Sequence, residues 1–277
     1  MRWSDRLESM DRRWLFVVMG ILVLLPLLFP LALPLYPTPP ARQFRDAIAR
    51  IPDGSTVLMP CDYDPGAIPE LVPMTKTALR QLLNKHCKVV VLCLWETGPG
   101  LVDRVLREVI DKEYPQLVYG EDYVYLGYKA GREAVMVVMG QGIAHAFPRD
   151  YRGNLTSALP IMQRARDYTS FPLLVNISAG YPGTKEWVQQ VQSRFHLPMV
   201  SGTTAVSAPE YYPYLQSGQL QGLLGGMAGA AEYEKLQNEK GTATRGMDAQ
   251  SLAHYFVALC IIVGNLIQWT KPRGAPR

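Results

Sequence analysis

The feature that most limits the fold is an uncharged apolar run of 23 residues, Trp14–Tyr36, near the amino terminus. At about 1.5 Å of rise per residue, a helix of this length crosses a hydrocarbon core of about 30 Å. The run is longer than the apolar core of a cleaved secretory signal, and no small-residue cleavage site follows it. We therefore expect an uncleaved transmembrane helix over residues 14–36, kinked in its second half by Pro26, Pro30 and Pro34.

A second apolar run, Ala249–Thr270, has 22 residues and no Asp, Glu, Lys or Arg. Its length and composition predict a second transmembrane helix over residues 249–270. Trp269 followed by Lys271 is typical of a helix end at the membrane–water interface. Four polar residues of this run are expected to face another helix, and the first run is a candidate. These residues are Ser251, His254, Asn265 and Gln268.

The charges beside the two runs predict the membrane topology. Residues 271–277 contain three basic residues and no acidic one, which indicates the cytoplasmic side of a membrane. With two spans, the segments 1–13 and 271–277 are both expected in the cytoplasm, and the domain over residues 37–248 outside it. The expected partners are the lipid bilayer and other membrane subunits, or a further copy bound through the terminal helices.

The central part of the chain is electrically balanced. The formal net charge of the whole chain is +4, but residues 42–270 carry as many basic as acidic residues. This balance gives no support for nucleic-acid binding, which requires a basic patch or stripe, and we expect no nucleic-acid partner. The four cysteines form no CxxC pair, so the sequence does not support a zinc site.

Between the terminal runs, short apolar segments alternate with segments of helical periodicity. The segment Lys88–Leu94 is continuously apolar after its first residue, which indicates a strand covered on both faces. Alternation at this spacing predicts an α/β fold with a doubly wound, mostly parallel sheet of the Rossmann or flavodoxin-like type. The fold so predicted resembles flavodoxin-like and periplasmic-binding-like domains. The small apolar stretch Gly218–Ala231 is interpreted as a packed helix. The predicted strands are 56–60, 88–94, 123–126, 171–178 and 197–200.

Acidic residues follow the first two predicted strands. Asp62 and Asp64 come after the first strand and Glu96 after the second, and such carboxylates suit a hard divalent cation. The Asp-x-Asp pattern resembles the start of haloacid-dehalogenase-like phosphatases, although Pro65 stands where that family has Thr or Val. The resemblance implies a metal-dependent phosphatase. If the first two strands are adjacent, Glu96 would lie near Asp62 and Asp64, and the three carboxylates would then share one cation. The alternative, which turn chemistry favours, is an ordinary turn at Asp64-Pro65-Gly66.

Small and hydroxyl-bearing residues follow the fourth and fifth predicted strands. In an open parallel sheet, ligands bind outside the carboxyl ends of the strands. Glycines there allow close approach of a ligand, and the free N–H groups of a helix start bind anions. Helix capping by Thr184 and hydroxyl-rich turns remain the alternative. The predicted ligand-binding residues are Ser178, Gly180, Gly183, Thr184, Thr203, Thr204 and Glu210.

No catalytic set is complete in the sequence: the G-x-S-x-G elbow is absent, and no two histidines have helical metal-ligand spacing. The preferred interpretation is therefore a non-enzymatic, membrane-anchored subunit that binds a ligand or a partner, without a cofactor. Two alternatives stay open. One is a membrane-anchored hydrolase or phosphatase that requires a divalent cation, and the other is a small-molecule sensor or binding protein.

Overall fold

The computed structural model of the protein describes residues 11–29, 31 and 33–270. The chain divides into two compact units. One unit is the continuous segment Leu35–Ala243. The other contains the described residues of Met1–Pro34 and Thr244–Arg277, so that the two terminal segments belong together.

The unit Leu35–Ala243 is built on a single six-stranded sheet in which all neighbouring strands are parallel. The order across the sheet is β3-β2-β1-β4-β5-β6. This is the strand order of doubly wound folds of the Rossmann type, so the predicted α/β class is confirmed for this unit. The strands are β1 (Thr56–Asp62), β2 (Lys88–Cys93), β3 (Tyr123–Tyr128), β4 (Leu174–Ser178), β5 (Met199–Thr203) and β6 (Leu223–Gly225).

Helices cover both faces of the sheet, which explains why its central strands are apolar along their whole length. All seven residues of β1 are buried, and β1 pairs with β2 from Thr56↔Lys88 to Pro60↔Leu92. The helices of the described chain are α1 (Arg12–Leu28), α2 (Pro39–Arg50), α3 (Ile68–Asn84), α4 (Pro99–Leu106), α5 (Glu133–Met139), α6 (Ile143–Ala146), α7 (Thr184–Trp187), α8 (Ser193–Phe195), α9 (Ala208–Gln216), α10 (Gly226–Leu236) and α11 (Thr242–Thr270). Single π-helical turns extend α4 and join α7 to α8, at Arg107–Asp111 and Val188–Gln192.

The sixth strand was not predicted from the sequence. The stretch Gly218–Ala231 was interpreted as one packed helix, but it contains β6 and most of α10. β6 has only three residues, pairs with β5 alone and ends in Gly225. A strand this short gives no readable alternation, so its apolar residues could not be distinguished from the start of a helix.

The first helix is shorter than the sequence predicts. α1 ends at Leu28, and Phe29 is extended with φ −125° and ψ 101°. Phe29 precedes a proline, whose ring excludes the helical conformation from the residue before it. The predicted helix over 14–36 is therefore wrong beyond Leu28: residues 31 and 33–38 are non-helical, and Pro30 and Ala32 lie outside the described residues. The 17 residues of α1 span about 26 Å, less than a hydrocarbon core of about 30 Å.

The carboxyl-terminal helix is longer than predicted. α11 begins at Thr242, before the predicted start at residue 249, and continues without a break for 29 residues. Within the described residues, Thr242–Trp269 is the one helix long and apolar enough to cross a membrane, with a mean hydropathy of 1.6 over its most apolar window. A single such helix supports one span of the two that the sequence predicts.

The chain enters the α/β unit along α10. The backbone N–H and the hydroxyl of Thr38 both donate to Oε2 of Glu232, at 3.0 and 2.6 Å. One turn further, Nζ of Lys235 donates to the carbonyl oxygen of Leu35 at 2.5 Å. Because Glu232 is only 8% exposed, these charge-assisted bonds fix the segment that leads into α2.

The chain also leaves this unit beside α10. The backbone N–H of Ala243 donates to Oε1 of Glu234 at 3.1 Å, and Glu234 is buried. In the other unit, the backbone N–H of Leu33 donates to Oδ1 of Asp248 at 3.0 Å. Acidic side chains therefore fix backbone groups at both junctions between the terminal segments and the domain.

Candidate functional site: the cleft at the sheet switch point

The strand order places a crevice at the carboxyl ends of β1 and β4. From β1 the chain builds outward through β2 to β3, and it then returns to form β4 on the other side of β1. The connections after β1 and β4 therefore diverge to opposite sides. Ligands in open α/β sheets bind at such a point.

A cleft of about 600 Å³ opens at this point. Its volume lies in the range of small-molecule sites, about 300–1,000 Å³. Segments that follow β1, β2, β3 and β4 all contribute to its walls. The lining residues are Asp64, Pro65, Gly66, Leu94, Trp95, Glu96, Thr97, Tyr128, Arg132, Tyr181 and Pro182.

Trp95 forms a fixed wall of the cleft. Its indole Nε1–H donates to the carbonyl oxygen of Pro182 at 2.8 Å, which joins the loop after β2 to the loop after β4. Gly180 lies against the ring, since a Cβ at that position would be 3.5 Å from Cζ2 of Trp95. The ring is therefore oriented before any ligand arrives, which lowers the entropy cost of binding.

Arg132 supplies the positive charge of the cleft from a strained backbone. Its φ of 50° and ψ of −120° lie outside the regions that residues with a Cβ ordinarily adopt. Holding a residue there costs about 1–3 kcal/mol. The guanidinium carbon lies 4.8 Å from the ring centroid of Tyr181, a cation–π geometry. A hydrogen bond to Glu133 raises the pKa of the Tyr181 hydroxyl, so this ring is also held at its polar end.

Asp62 lies beneath the cleft and not in it. Its Oδ1 accepts from the N–H of Leu94 at 2.6 Å, and its Oδ2 accepts from the indole N–H of Trp187 at 2.9 Å. Burial raises the pKa of Asp62 to about 7, although both hydrogen bonds act to lower it. Burial also raises the pKa of the neighbouring thiols, Cys61 and Cys93. Asp62 thus joins β1 to the end of β2 and to α7.

Asp64 closes a turn, as the alternative interpretation of that segment expected. Its Oδ1 accepts from the N–H groups of Gly66 at 2.8 Å and Ala67 at 3.2 Å. In dinucleotide-binding folds the N–H groups after the first strand receive a pyrophosphate. Here the protein's own carboxylate occupies them, so this turn is not free to bind a phosphate.

The three carboxylates predicted as a metal site do not form one ligand group. Asp62 is buried and bonded to two N–H donors, Asp64 caps its own turn, and Glu96 is exposed. In the part of the chain that the structure describes, no set of three or more His, Cys, Asp or Glu side chains is placed to hold a metal ion. The divalent-cation alternative therefore has no geometric support.

Ser178 and Thr184, predicted to bind a ligand, are completely buried in a network with two other polar residues. Oδ1 of Asn176 accepts from the hydroxyls of Ser178 at 2.8 Å and Thr184 at 3.0 Å. The Thr184 hydroxyl also lies 2.6 Å from that of Ser201 on β5. The network fixes the start of α7 over β4 and β5, which is a structural role.

The glycines and free N–H groups of the same loop, predicted to bind a ligand, contact other atoms of the protein. A Cβ at Gly183 would lie 2.0 Å from the carbonyl oxygen of Gly180. Position 183 therefore requires a glycine because the protein's own backbone lies close to it, and no ligand is needed to explain this glycine. The N–H of Gly183 donates to Oε2 of Glu186 at 2.8 Å, and the N–H of Thr184 donates to Oγ of Ser178 at 3.0 Å. These donors were expected to bind an anion, but they are already occupied.

The residues predicted after β5 do not line the cleft either. Thr203 is buried, and the Thr204 hydroxyl donates to Oγ of Ser207 at 3.1 Å within a turn. Glu210 is exposed and pairs with Nζ of Lys185 at 3.4 Å. Turn chemistry and a surface ion pair account for Thr204 and Glu210.

The predicted site does not include the segment that follows the third strand. Tyr128, the last residue of β3, and Arg132, in the loop after it, enter the cleft from this segment. Trp95, Tyr181 and Pro182 lie in the predicted strand-end segments, but the hydroxyl and acidic residues beside them were preferred. The recognisable signal was a basic residue and aromatic residues at several strand ends.

A larger groove, of about 700 Å³, lies at the opposite edge of the sheet. Leu173, Pro198 and Gln221, which precede β4, β5 and β6, contribute to it, and Arg50 is the charged residue of its lining. Parallel sheets bind ligands at the carboxyl ends of their strands, so the cleft at the switch point is the better candidate despite its smaller volume.

The fold and the cleft define a doubly wound α/β domain with a preformed crevice at its switch point. Comparison of the chain with protein-family models, with curated proteins and with solved structures finds no match.

Proposed function

We propose that this chain is a membrane-anchored, non-enzymatic binding protein whose α/β unit takes a small polar molecule into the cleft at the switch point. The observation that carries the proposal is the position of Arg132. Its guanidinium is placed in the cleft by a backbone conformation that costs free energy, and such strain is concentrated at functional sites.

The chemistry of the walls indicates the class of ligand. Arg132 is suited to pair with a carboxylate or another oxyanion. Trp95, Tyr128 and Tyr181 present aromatic surface for a flat or apolar portion of the molecule. The helix-start N–H groups after β1 and β4 are bonded to Asp64 and Glu186, so a pyrophosphate is disfavoured. We infer a small, flat organic anion.

Binding is proposed in place of catalysis because the residues that line the cleft include no nucleophile in contact with a base. The anchor in this proposal is α11, whose most apolar part, up to Trp269, is of membrane-spanning length. The basic residues at 271–277 favour a cytoplasmic tail, and with α11 as the span the α/β unit then lies outside the cytoplasm.

The test uses the full chain in lipid nanodiscs and a panel of flat monoanions: benzoate, 4-hydroxybenzoate and indole-3-acetate. Saturation-transfer NMR measures binding to the wild type, to Arg132→Ala and to the matched control Arg194→Ala, which removes the same charge from an exposed site on α8. We expect Arg132→Ala alone to lose the transfer signal. Equal binding to the two variants, or no binding to any of the proteins, would refute the proposed site.

A further inference from the structure

The polar residues of the carboxyl-terminal helix lie on one stripe. Ser251, His254, Asn265 and Gln268 are separated by three, eleven and three residues, and Ala258 and Ile261 complete an alternating spacing of three and four. That spacing averages 3.5 residues, the repeat of helices that pack along a common seam. From His254 to Gln268 all five members of the stripe are exposed.

The opposite side of α11 is the one that the chain itself covers. Ala249 and Ile267 are buried, and Phe256, Cys260 and Val263, which fall between them at the same repeat, are half-buried. At 3.6 residues per turn, this covered side lies about 150° around the helix from the polar stripe. The polar residues are predicted to face another helix, with the first run as a candidate, and in the structure they lie on the side of α11 away from its covered residues.

This arrangement is unfavourable for a lone chain in a bilayer. An amide or imidazole that faces hydrocarbon has no water to bond, and transmembrane helices therefore direct such residues toward another helix. The inference rests on the membrane span that is part of the proposed function. If α11 crosses the bilayer, its exposed stripe requires a partner with a donor and an acceptor at the depth of Asn265, whereas Gln268, beside the interfacial Trp269, lies near the membrane surface.

We propose that the partner is a second copy of this chain, bound through the stripe of α11. Two copies insert in the same direction, so a twofold axis along the stripe places Asn265 against Asn265 and Gln268 against Gln268. A carboxamide both donates and accepts hydrogen bonds, and it is therefore complementary to itself. Ala258 allows close approach of the two backbones at the middle of the seam, as small residues do in membrane helix pairs.

The test is oxidative cross-linking of the full chain in native membranes. In a Cys260→Ser background, Ala258→Cys and Ile261→Cys lie on the stripe, and Leu259→Cys is the matched control on another face. Wild-type Cys260 is a second control, because it lies on the covered side. We expect disulfide-linked dimers at positions 258 and 261 but not at 259 or 260. Cross-links of equal yield at all four positions would overturn the specific interface.

A second variant tests the hydrogen bonds directly. Asn265→Leu combined with Gln268→Leu makes the helix more apolar, so membrane integration, measured by resistance to alkaline extraction, is expected to be unchanged. The dimer is expected to weaken about ten-fold. Integration without any dimer, or cross-linking to a different protein, overturns the proposed partner and leaves the anchor intact. Extraction of the wild type by alkali overturns the anchor itself.

Discussion

The strain at Arg132 leads to a prediction about the relative stability of two variants. Arg132→Ala and Arg132→Gly both remove the guanidinium and its contact with Tyr181, so the difference between them isolates the backbone. Alanine keeps the Cβ that makes φ 50° and ψ −120° unfavourable, whereas glycine adopts such angles freely. We predict that the glycine variant is the more stable of the two.

The magnitude follows from two opposing contributions. Relief of the strained conformation is worth about 1–3 kcal/mol. The greater freedom of glycine in the unfolded chain costs about 0.5–1 kcal/mol. The net advantage of Arg132→Gly over Arg132→Ala is therefore about 1 kcal/mol, or roughly 2–4 °C in the melting temperature of a domain of this size. At an ordinary helical position the sign is reversed, and glycine is the less stable residue.

The measurement is urea unfolding of the full chain in mild detergent, followed by near-ultraviolet circular dichroism to report on the α/β unit. Arg194→Ala and Arg194→Gly on α8 form the matched control pair, because that position is helical and exposed. We expect glycine to be favoured at position 132 and disfavoured at position 194. If the glycine and alanine variants have the same order of stability at both positions, the backbone strain at Arg132 is refuted. The main support for a functional role of Arg132 is then lost.

Three further predictions concern the structure around the cleft and the domain ends. The raised pKa of Asp62 means that the native state retains a proton between about pH 4 and pH 7 that the unfolded chain has lost, so stability falls as pH rises through this window. From pH 5 to pH 7 the loss of stability should be about 2 kcal/mol, and it should be absent in Asp62→Asn; parallel pH profiles of the two proteins would contradict it. Gly183→Ala should lower the free energy of unfolding in urea by about 3 kcal/mol, because its Cβ would meet the carbonyl oxygen of Gly180, whereas Gly180→Ala should lower it by less than 1 kcal/mol. Equal losses in the two variants would disprove this close approach. Thr38→Ala removes the hydroxyl that bonds to Glu232 and should lower the free energy of unfolding by about 1–2 kcal/mol, whereas Thr38→Ser keeps the hydroxyl and should retain most of this stability. Identical urea midpoints for these two variants would exclude that bond as a contributor to stability.

The fold was accessible from the sequence because its strands are unusually apolar. β1 and β2 are buried on both faces, and such strands are continuous hydrophobic runs that are easy to locate. The ends of the helices and strands were harder to predict, because they depend on the residues at each end and not on a long hydrophobic pattern. The extended Phe29 before a proline ended the first helix early, and a three-residue strand at the sheet edge gave no pattern at all.

The sequence predicts site residues at the edge of the sheet where the cleft lies, but of those residues the cleft is lined by Asp64 and Glu96 alone. Topology alone identifies the carboxyl ends of the strands, and the cleft is there. Which side chains point into it depends on hydrogen bonds that a sequence does not show. Ser178 and Thr184 have the chemistry of ligand-binding residues, yet their hydroxyls bond to Asn176 in the interior. Arg132 has no motif around it, and only its φ and its position in the cleft distinguish it.

The contacts of both domain ends with α10 also determine how the chain of this domain can be rearranged. Thr38 and Ala243 contact Glu232 and Glu234 of that helix, so both ends of the domain are attached to α10. Because one helix holds both ends, a linker that runs along α10 can join residues 35 and 243. With new termini opened in an exposed loop, such a circular permutant should preserve the sheet order and the cleft.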